Sequence, residues 1–160
     1  MMKTLFDEAF DLAALDGLAG RFVEVMTRLN TEIATRPILV GVAGDMGAGK
    51  TTFIRSVLAH MGAHTAGTSP TFDLIHRHRA LFGSILHLDL YRLDSAQVEA
   101  LDLEHYFDES TRFVFIEWPD RAPWVGFNID IVIRVDDVGY RQFFVRLNAE
   151  SMGNPSILTR

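Results

Sequence analysis

Residues 44 to 51 form a glycine-rich octet that ends in a lysine and a threonine, Gly-Asp-Met-Gly-Ala-Gly-Lys-Thr. The spacing matches G-x-x-x-x-G-K-S/T, the loop that binds nucleotide phosphates. Glycines allow successive backbone N–H groups to turn inward around an anion, which bulkier residues hinder. Lys50 adds a full positive charge near the β and γ phosphates, and Thr51 supplies a hydroxyl that can bind Mg²⁺. The octet therefore predicts a site for a nucleoside triphosphate and magnesium.

The segments on either side of the octet are those that such a loop needs. Residues 38 to 43 are an apolar run without polar alternation, typical of a strand buried on both faces of a parallel sheet. After the octet, apolar residues recur at helical spacing until Gly62. A strand, the loop and a helix in this order place the phosphates at the positive end of a helix dipole. The residues predicted to contact the nucleotide here are Asp45, Met46, Gly47, Ala48, Gly49, Lys50, Thr51 and Thr52.

Two carboxylates follow apolar segments and are candidates for the magnesium chemistry. Glu117 comes directly after Phe113 to Ile116, and a hydrophobic strand that ends in a carboxylate is the Walker B pattern. Mg²⁺ bound to ATP takes hard oxygen ligands, so Thr51 and Glu117 are predicted to hold it. Asp89 ends another apolar run and is predicted to orient the attacking water or hold a magnesium-bound one, with a turn-capping aspartate as the alternative. Lys50, Asp89 and Glu117 are the predicted catalytic residues.

The remaining pattern predicts the elements around this site. An apolar stripe predicts a helix over residues 11–30, packed on the sheet or, alternatively, binding a partner. Residues 63–71 are rich in turn formers and predict a loop near the nucleotide, followed by strands over 72–77 and 84–89 in a hairpin. Asp94 and Gln97 predict a capping box, and 129–135 and 140–148 predict antiparallel strands.

We therefore expect an α/β fold: a three-layer P-loop NTPase-like domain over residues 1–148, followed by a tail over 149–160. Its central sheet should be mixed and largely parallel, with antiparallel C-terminal strands.

Composition limits the possible functions. The chain has 160 residues, no cysteine and a net charge of −6, which argues against tight, non-specific nucleic-acid binding by this chain alone. No membrane-spanning stretch or secretory signal is evident, so a cytoplasmic location is expected. The polar run from His76 to Arg79 is read as solvated rather than as a zinc site. The D-x-x-G at Asp136 is not read as a GTPase motif, because the chain has no Asn-Lys-x-Asp.

Four motifs occur in a fixed order, and together they resemble one family. They are Gly44 to Thr52, Ser69-Pro70-Thr71-Phe72, His87-Leu88-Asp89-Leu90-Tyr91-Arg92-Leu93 and Ile116-Glu117-Trp118-Pro119. Over roughly residues 11 to 147, the chain closely resembles the bacterial TsaE family of tRNA threonylcarbamoyladenosine biosynthesis ATPases. The P-loop alone is widespread, but the joint occurrence of the other three motifs in one small domain is specific.

The resemblance implies an ATPase that uses ATP and Mg²⁺ and acts with two protein partners, TsaB and TsaD, in tRNA modification next to the anticodon. Contact with tRNA would be indirect, through the complex. The resemblance also implies a switch loop at Ser69 and Thr71, a position for Asp89 beside the γ-phosphate, and a part for Trp118 in shaping the site. Adenine contacts would come partly from the start of the first helix, near Asp11.

Two alternative functions remain open from the sequence. One is a small-molecule P-loop kinase, although residues 93 to 112 contain only Arg112 where a kinase lid is usually rich in arginine. The other is a nucleotide-bound adaptor without turnover, in which Glu117 and Asp89 serve binding only. Release of phosphate, measured with and without the partners, would distinguish these functions.

Overall fold

The strands form one sheet with parallel pairing at its centre and antiparallel pairing at both edges. The structure is a computed structural model, and it describes residues 2–32, 37–68 and 74–148. The strands are β1 Met2–Phe10, β2 Ile38–Ala43, β3 His64–Thr68, β4 Ile75–Ala80, β5 Gly83–Asp89, β6 Thr111–Glu117, β7 Ile129–Val135 and β8 Arg141–Asn148. The α-helices are α1 Leu15–Glu32, α2 Lys50–His60 and α3 Ser95–Leu101.

The strand order in the sheet is β1-β8-β7-β2-β6-β5-β4-β3. Strands β7, β2, β6 and β5 run parallel to one another, whereas β1 and β8 at one edge and β3 and β4 at the other pair antiparallel. The expected mixed α/β architecture is confirmed. The antiparallel pairing is not confined to the C-terminal strands, however, and β7 itself runs parallel to β2.

Helices cover both faces of the sheet, which gives the expected three layers. On one face, α1 and α2 bury a core in which Phe53 lies at the centre, with ring centroids 5.5 Å from Phe22 and 4.9 Å from Phe143. On the other face, Val98 of α3 packs with residues of the central strands. Phe53 is fully buried and lies in the first turn of α2, so this packing fixes the start of that helix.

The N-terminal region differs from the sequence prediction. The apolar stripe does form a helix, but α1 begins at Leu15, after a 3₁₀ turn at Leu12–Ala14 that the Asp11 side chain caps. Residues before it form β1, an edge strand paired with β8 that the sequence did not indicate. Most side chains of β1 are exposed or half-buried, so the strand lacks the clear apolar alternation by which strands are recognised.

The segment predicted as a loop over 63–71 contains a strand instead. Its first part forms β3, which pairs antiparallel with β4, and residues 69–71 lie outside the described part of the chain. The threonines and the glycine of this segment are common in turns, but threonine also favours strands. The capping box of Asp94 and Gln97 is confirmed. The predicted hairpin is confirmed as β4 and β5, although its first strand is Ile75–Ala80 rather than residues 72–77.

Residues 149–160, predicted to be a tail, lie outside the described residues. Within residues 2–32, 37–68 and 74–148, no helix is both long enough and apolar enough to cross a membrane.

Candidate functional site

The loop between β2 and α2 requires glycine, as Gly44 and Gly49 show. Gly49 has a φ of 105° and forms the N-cap of α2, a left-handed conformation that other residues rarely adopt. A Cβ on Gly44 would overlap the carbonyl oxygen of Ile133 in β7. The loop therefore lies directly against the sheet, at the carboxyl end of β2 and the N-terminus of α2, where exposed N–H groups and the helix dipole favour an anion.

Lys50 is buried in the wall of this loop. Its side chain donates hydrogen bonds from Nζ to the carbonyl oxygens of Gly44 at 2.6 Å and Asp45 at 2.8 Å. Nζ also lies 4.5 Å from the centroid of the Trp118 ring, within cation–π range. Burial lowers the pKa of Lys50, and the charge of Glu117 is the largest opposing effect. Because little water surrounds the amine, its attraction to an entering anion is stronger than at an exposed site.

Glu117 ends β6 and is almost completely enclosed. The Thr51 hydroxyl lies 2.8 Å from Oε1 and 3.0 Å from Oε2, and Nε2 of His87 lies 2.8 Å from Oε1. Burial alone would raise the pKa of Glu117, but hydrogen bonds from His87 and Thr51 outweigh it and lower the pKa below the ordinary value. The carboxylate is therefore ionised at neutral pH. An anionic carboxylate beside a hydroxyl is the hard oxygen set that Mg²⁺ accepts, so these residues fit the metal.

These groups converge on one cavity of about 310 Å³. Its described lining residues are Met46, Gly47, Gly49, Lys50, Thr51, Thr52, Asp89, Tyr91, Glu117 and Trp118. Asp89 and Glu117 are neighbours in register at the ends of β5 and β6. Asp89 Oδ1 also accepts a hydrogen bond from the backbone N–H of Tyr91 at 3.1 Å, so the same carboxylate caps a turn and lines the cavity.

Trp118 follows Glu117 in an unusual backbone conformation. Its φ of 60° lies in the left-handed region. This conformation costs a non-glycine residue about 1 to 3 kcal/mol, so it persists only where the surrounding structure holds it. The backbone N–H of Trp118 donates to the carbonyl oxygen of Val42 at 3.3 Å, and the centroid of its ring lies 5.0 Å from that of Tyr91. The turn thus holds the indole over Lys50 rather than letting β6 continue.

Some predicted site residues lie elsewhere or outside the described chain. Asp11 is not among the described residues lining the cavity, and its carboxylate accepts a hydrogen bond from the N–H of Ala14 at 2.9 Å. Asp45 and Ala48 belong to the loop, with Ala48 donating from its N–H to the Asp45 carbonyl at 3.0 Å. The predicted switch residues Ser69 and Thr71 lie outside the described residues.

Three residues that the sequence reasoning did not select contact the site. His87 binds Glu117, Tyr91 lines the cavity, and Arg141 of β8 donates from Nε to the carbonyl of Ala48 at 2.9 Å. His87 was detectable, because it precedes Asp89 by two positions in one strand and alternate residues share a face. Arg141 had no local signal, since its contact depends on how β8 lies beside the loop.

The D-x-x-G motif and the polar run from His76 to Arg79 make local contacts away from the cavity. The Asp136 carboxylate accepts hydrogen bonds from the N–H groups of Val138 and Tyr140 at 3.0 and 2.8 Å, so the D-x-x-G forms a turn. Arg77, in the polar run of β4, binds Asp108 at 3.0 Å.

A larger cavity, of about 390 Å³, lies on the opposite face of the sheet beside α3. Its described lining is mainly apolar, with carboxylates of Glu99, Asp102 and Glu104. We assign the candidate site to the smaller cavity, because only there do the phosphate-binding loop, a lysine and two strand-end carboxylates meet.

Comparison with known proteins identifies the family of this chain and a solved structure with the same fold. The sequence profile of the family described as threonylcarbamoyl adenosine biosynthesis protein TsaE matches residues 13–143. A Haemophilus influenzae protein named tRNA threonylcarbamoyladenosine biosynthesis protein TsaE is 34% identical over 117 residues, covering 72% of each chain. A Nostoc protein of the same name is 34% identical over 115 residues, covering 69% of this chain and 71% of its own. The crystal structure of Bacillus subtilis YdiB matches the fold with a TM-score of 0.60 at 18% identity, over 95% of this chain and 90% of that one.

Proposed function

The chain belongs to the TsaE family, and we propose that it is a magnesium-dependent ATPase that serves threonylcarbamoyladenosine biosynthesis on tRNA. The observation that carries the proposal is the convergence of Lys50, Thr51, Asp89 and Glu117 on one cavity at the carboxyl ends of β2, β5 and β6. In open α/β sheets, ligands bind at this edge of the strands.

Each side chain has a distinct part in the proposed reaction. The loop amides and Lys50 bind the phosphates, and the start of α2 adds its dipole. Thr51 and Glu117 hold Mg²⁺, which when bound neutralises charge that develops on the phosphate oxygens. Asp89 orients the attacking water, and its position beside Glu117 in the register supports that part. Trp118, with Tyr91 against its ring, covers one side of Lys50 and restricts water there.

We further propose that the chain acts in the cytoplasm together with TsaB and TsaD. The net charge of −6 is unfavourable for direct binding to the phosphate backbone of tRNA. The modification next to the anticodon would then take place on tRNA held by the complex, with the carbamoyl transfer itself carried out by TsaD. ATP hydrolysis by this chain would support that cycle.

Phosphate release tests the proposal. We expect the chain to hydrolyse ATP only with Mg²⁺, weakly alone and faster with TsaB and TsaD, and we expect Glu117→Gln to lose most of this activity. Glu109→Gln removes the same charge from an exposed position of the described chain and should leave the rate unchanged. ATP binding without phosphate release in any combination would instead favour the non-hydrolysing adaptor. Transfer of phosphate to a small acceptor would favour the kinase.

A further inference from the structure

His87 contacts the candidate magnesium ligand from behind the cavity. It lies in β5, is 8% exposed, and is not among the described residues lining the cavity. Its Nε2 is 2.8 Å from Oε1 of Glu117, and both side chains are nearly enclosed. An enclosed carboxylate needs hydrogen-bond donors, because taking an ion out of water costs on the order of several kcal/mol. His87 and Thr51 are the two side chains that donate to it among the described contacts.

The two donors act differently on the carboxylate. Thr51 lies within reach of both oxygens, at 2.8 and 3.0 Å, and its hydroxyl can rotate. The imidazole contacts Oε1, and no described contact joins it to Oε2. His87 has little room to move because it is 8% exposed, and the His76 ring of the paired strand β4 lies beside it with centroids 6.3 Å apart. The imidazole thus sets the orientation of the carboxylate, which a rotating hydroxyl cannot do alone.

We propose that His87 is a positioning residue: it holds Oε1 of Glu117 so that Oε2 and the Thr51 hydroxyl form the protein's share of the magnesium site. The proposal rests on the function proposed above. Such partners of metal ligands commonly change metal affinity by about 10- to 100-fold when removed. The role belongs to the N–H donor at Nε2 and not to the bulk of the ring.

Two substitutions separate the donor from the bulk. His87→Leu fills the space without a donor, whereas His87→Gln can place an amide N–H near the position of Nε2. We expect His87→Leu to raise the half-saturating Mg²⁺ concentration for ATP hydrolysis by roughly tenfold or more, with a smaller change in kcat. His87→Gln should remain close to the wild type. His105→Leu is the control for the loss of an imidazole, because His105 is exposed and has no described contact with Glu117 or His87.

A second measurement does not depend on turnover. The melting temperature is recorded with ADP alone and with ADP plus Mg²⁺, and the difference reports metal binding at the nucleotide. We expect His87→Leu to lose this Mg²⁺-dependent increment but keep the increment from ADP alone, whereas His87→Gln and His105→Leu keep both. If His87→Leu retains the Mg²⁺ increment and the Mg²⁺ half-saturation of the wild type, or if His87→Gln is as impaired as His87→Leu, the positioning role is wrong. If the wild type itself shows no Mg²⁺ increment, the proposed function fails together with it.

Discussion

Replacing Thr51 by valine tests the link between the phosphate-binding loop and β6. Valine keeps the shape of threonine but removes the hydroxyl that lies 2.8 and 3.0 Å from the two oxygens of Glu117. Glu117 is 2% exposed, so water cannot readily replace the lost donor. A hydrogen bond to a charged group contributes about 1.5 to 3 kcal/mol, and we expect Thr51→Val to lower the free energy of unfolding by that amount.

The loss should be visible before any nucleotide is added. For a domain of this size, about 1.5 to 3 kcal/mol corresponds to a fall in melting temperature of about 3 to 12 °C. The same substitution removes a predicted Mg²⁺ ligand, so adding Mg²⁺ to the ADP-bound variant should raise the melting temperature no further. Differential scanning fluorimetry gives the melting temperature of the variant without ligand, with ADP, and with ADP plus Mg²⁺.

Thr51→Ser is the control, because it keeps the hydroxyl and loses only a methyl group. It should retain the Mg²⁺-dependent increment and most of the stability without ligand. A Thr51→Val protein as stable as Thr51→Ser, with the same response to Mg²⁺, would refute the reasoning about both the hydrogen bond and the metal ligand.

Three further predictions follow from individual side chains. In a Trp124→Phe background, the emission of Trp118 should change and saturate with MgATP because Lys50 lies against its ring, and an unchanged spectrum would contradict this contact. Burial lowers the pKa of His78, so the unfolded chain takes up a proton at higher pH than the folded one. The free energy of unfolding of His78→Gln, measured with urea, should therefore fall less than that of the wild type as the pH drops below about 6.5. Equal falls in the two proteins would contradict this effect of burial on His78. Burial raises the pKa of Asp130, so the ionised carboxylate destabilises the folded chain at pH 7. Asp130→Asn should therefore raise the urea midpoint at pH 7, and this gain should disappear towards about pH 4, where the carboxyl group is protonated in the wild type as well. No gain at pH 7 would show that burial does not destabilise this carboxylate.

The sequence predicted the parts of the fold that depend on local pattern. The strand before the octet, the loop and the start of α2 follow from residues that are contiguous in the chain. The capping box of α3 was recognisable for the same reason, since Asp94 and Gln97 satisfy each other's backbone groups within one turn. At the opposite extreme, β1 is an exposed edge strand whose stability comes from pairing with β8, a partner more than a hundred residues away along the chain.

The candidate site was predictable to the same extent. Glu117 and Asp89 each end a buried strand, and their approach follows if β5 and β6 are parallel neighbours. The contact between His87 and Glu117 is harder to predict, because it requires the register of those two strands to be known to a single residue. The left-handed turn at Trp118 and the hydrogen bond from Arg141 to the loop arise from tertiary packing, and no short pattern encodes them.

The central claim is that the phosphates of a bound nucleotide lie beside Lys50. An acyl-phosphate derivative of ATP tests it directly, because a lysine next to the phosphates attacks the acyl group, forms an amide and releases ATP. The chain offers a built-in comparison, since its other lysine, Lys3, is exposed on β1. Peptide mass spectrometry should find Lys50 acylated in preference to Lys3, with excess MgATP protecting Lys50 alone. Equal labelling of the two lysines, unaffected by MgATP, would contradict the claim.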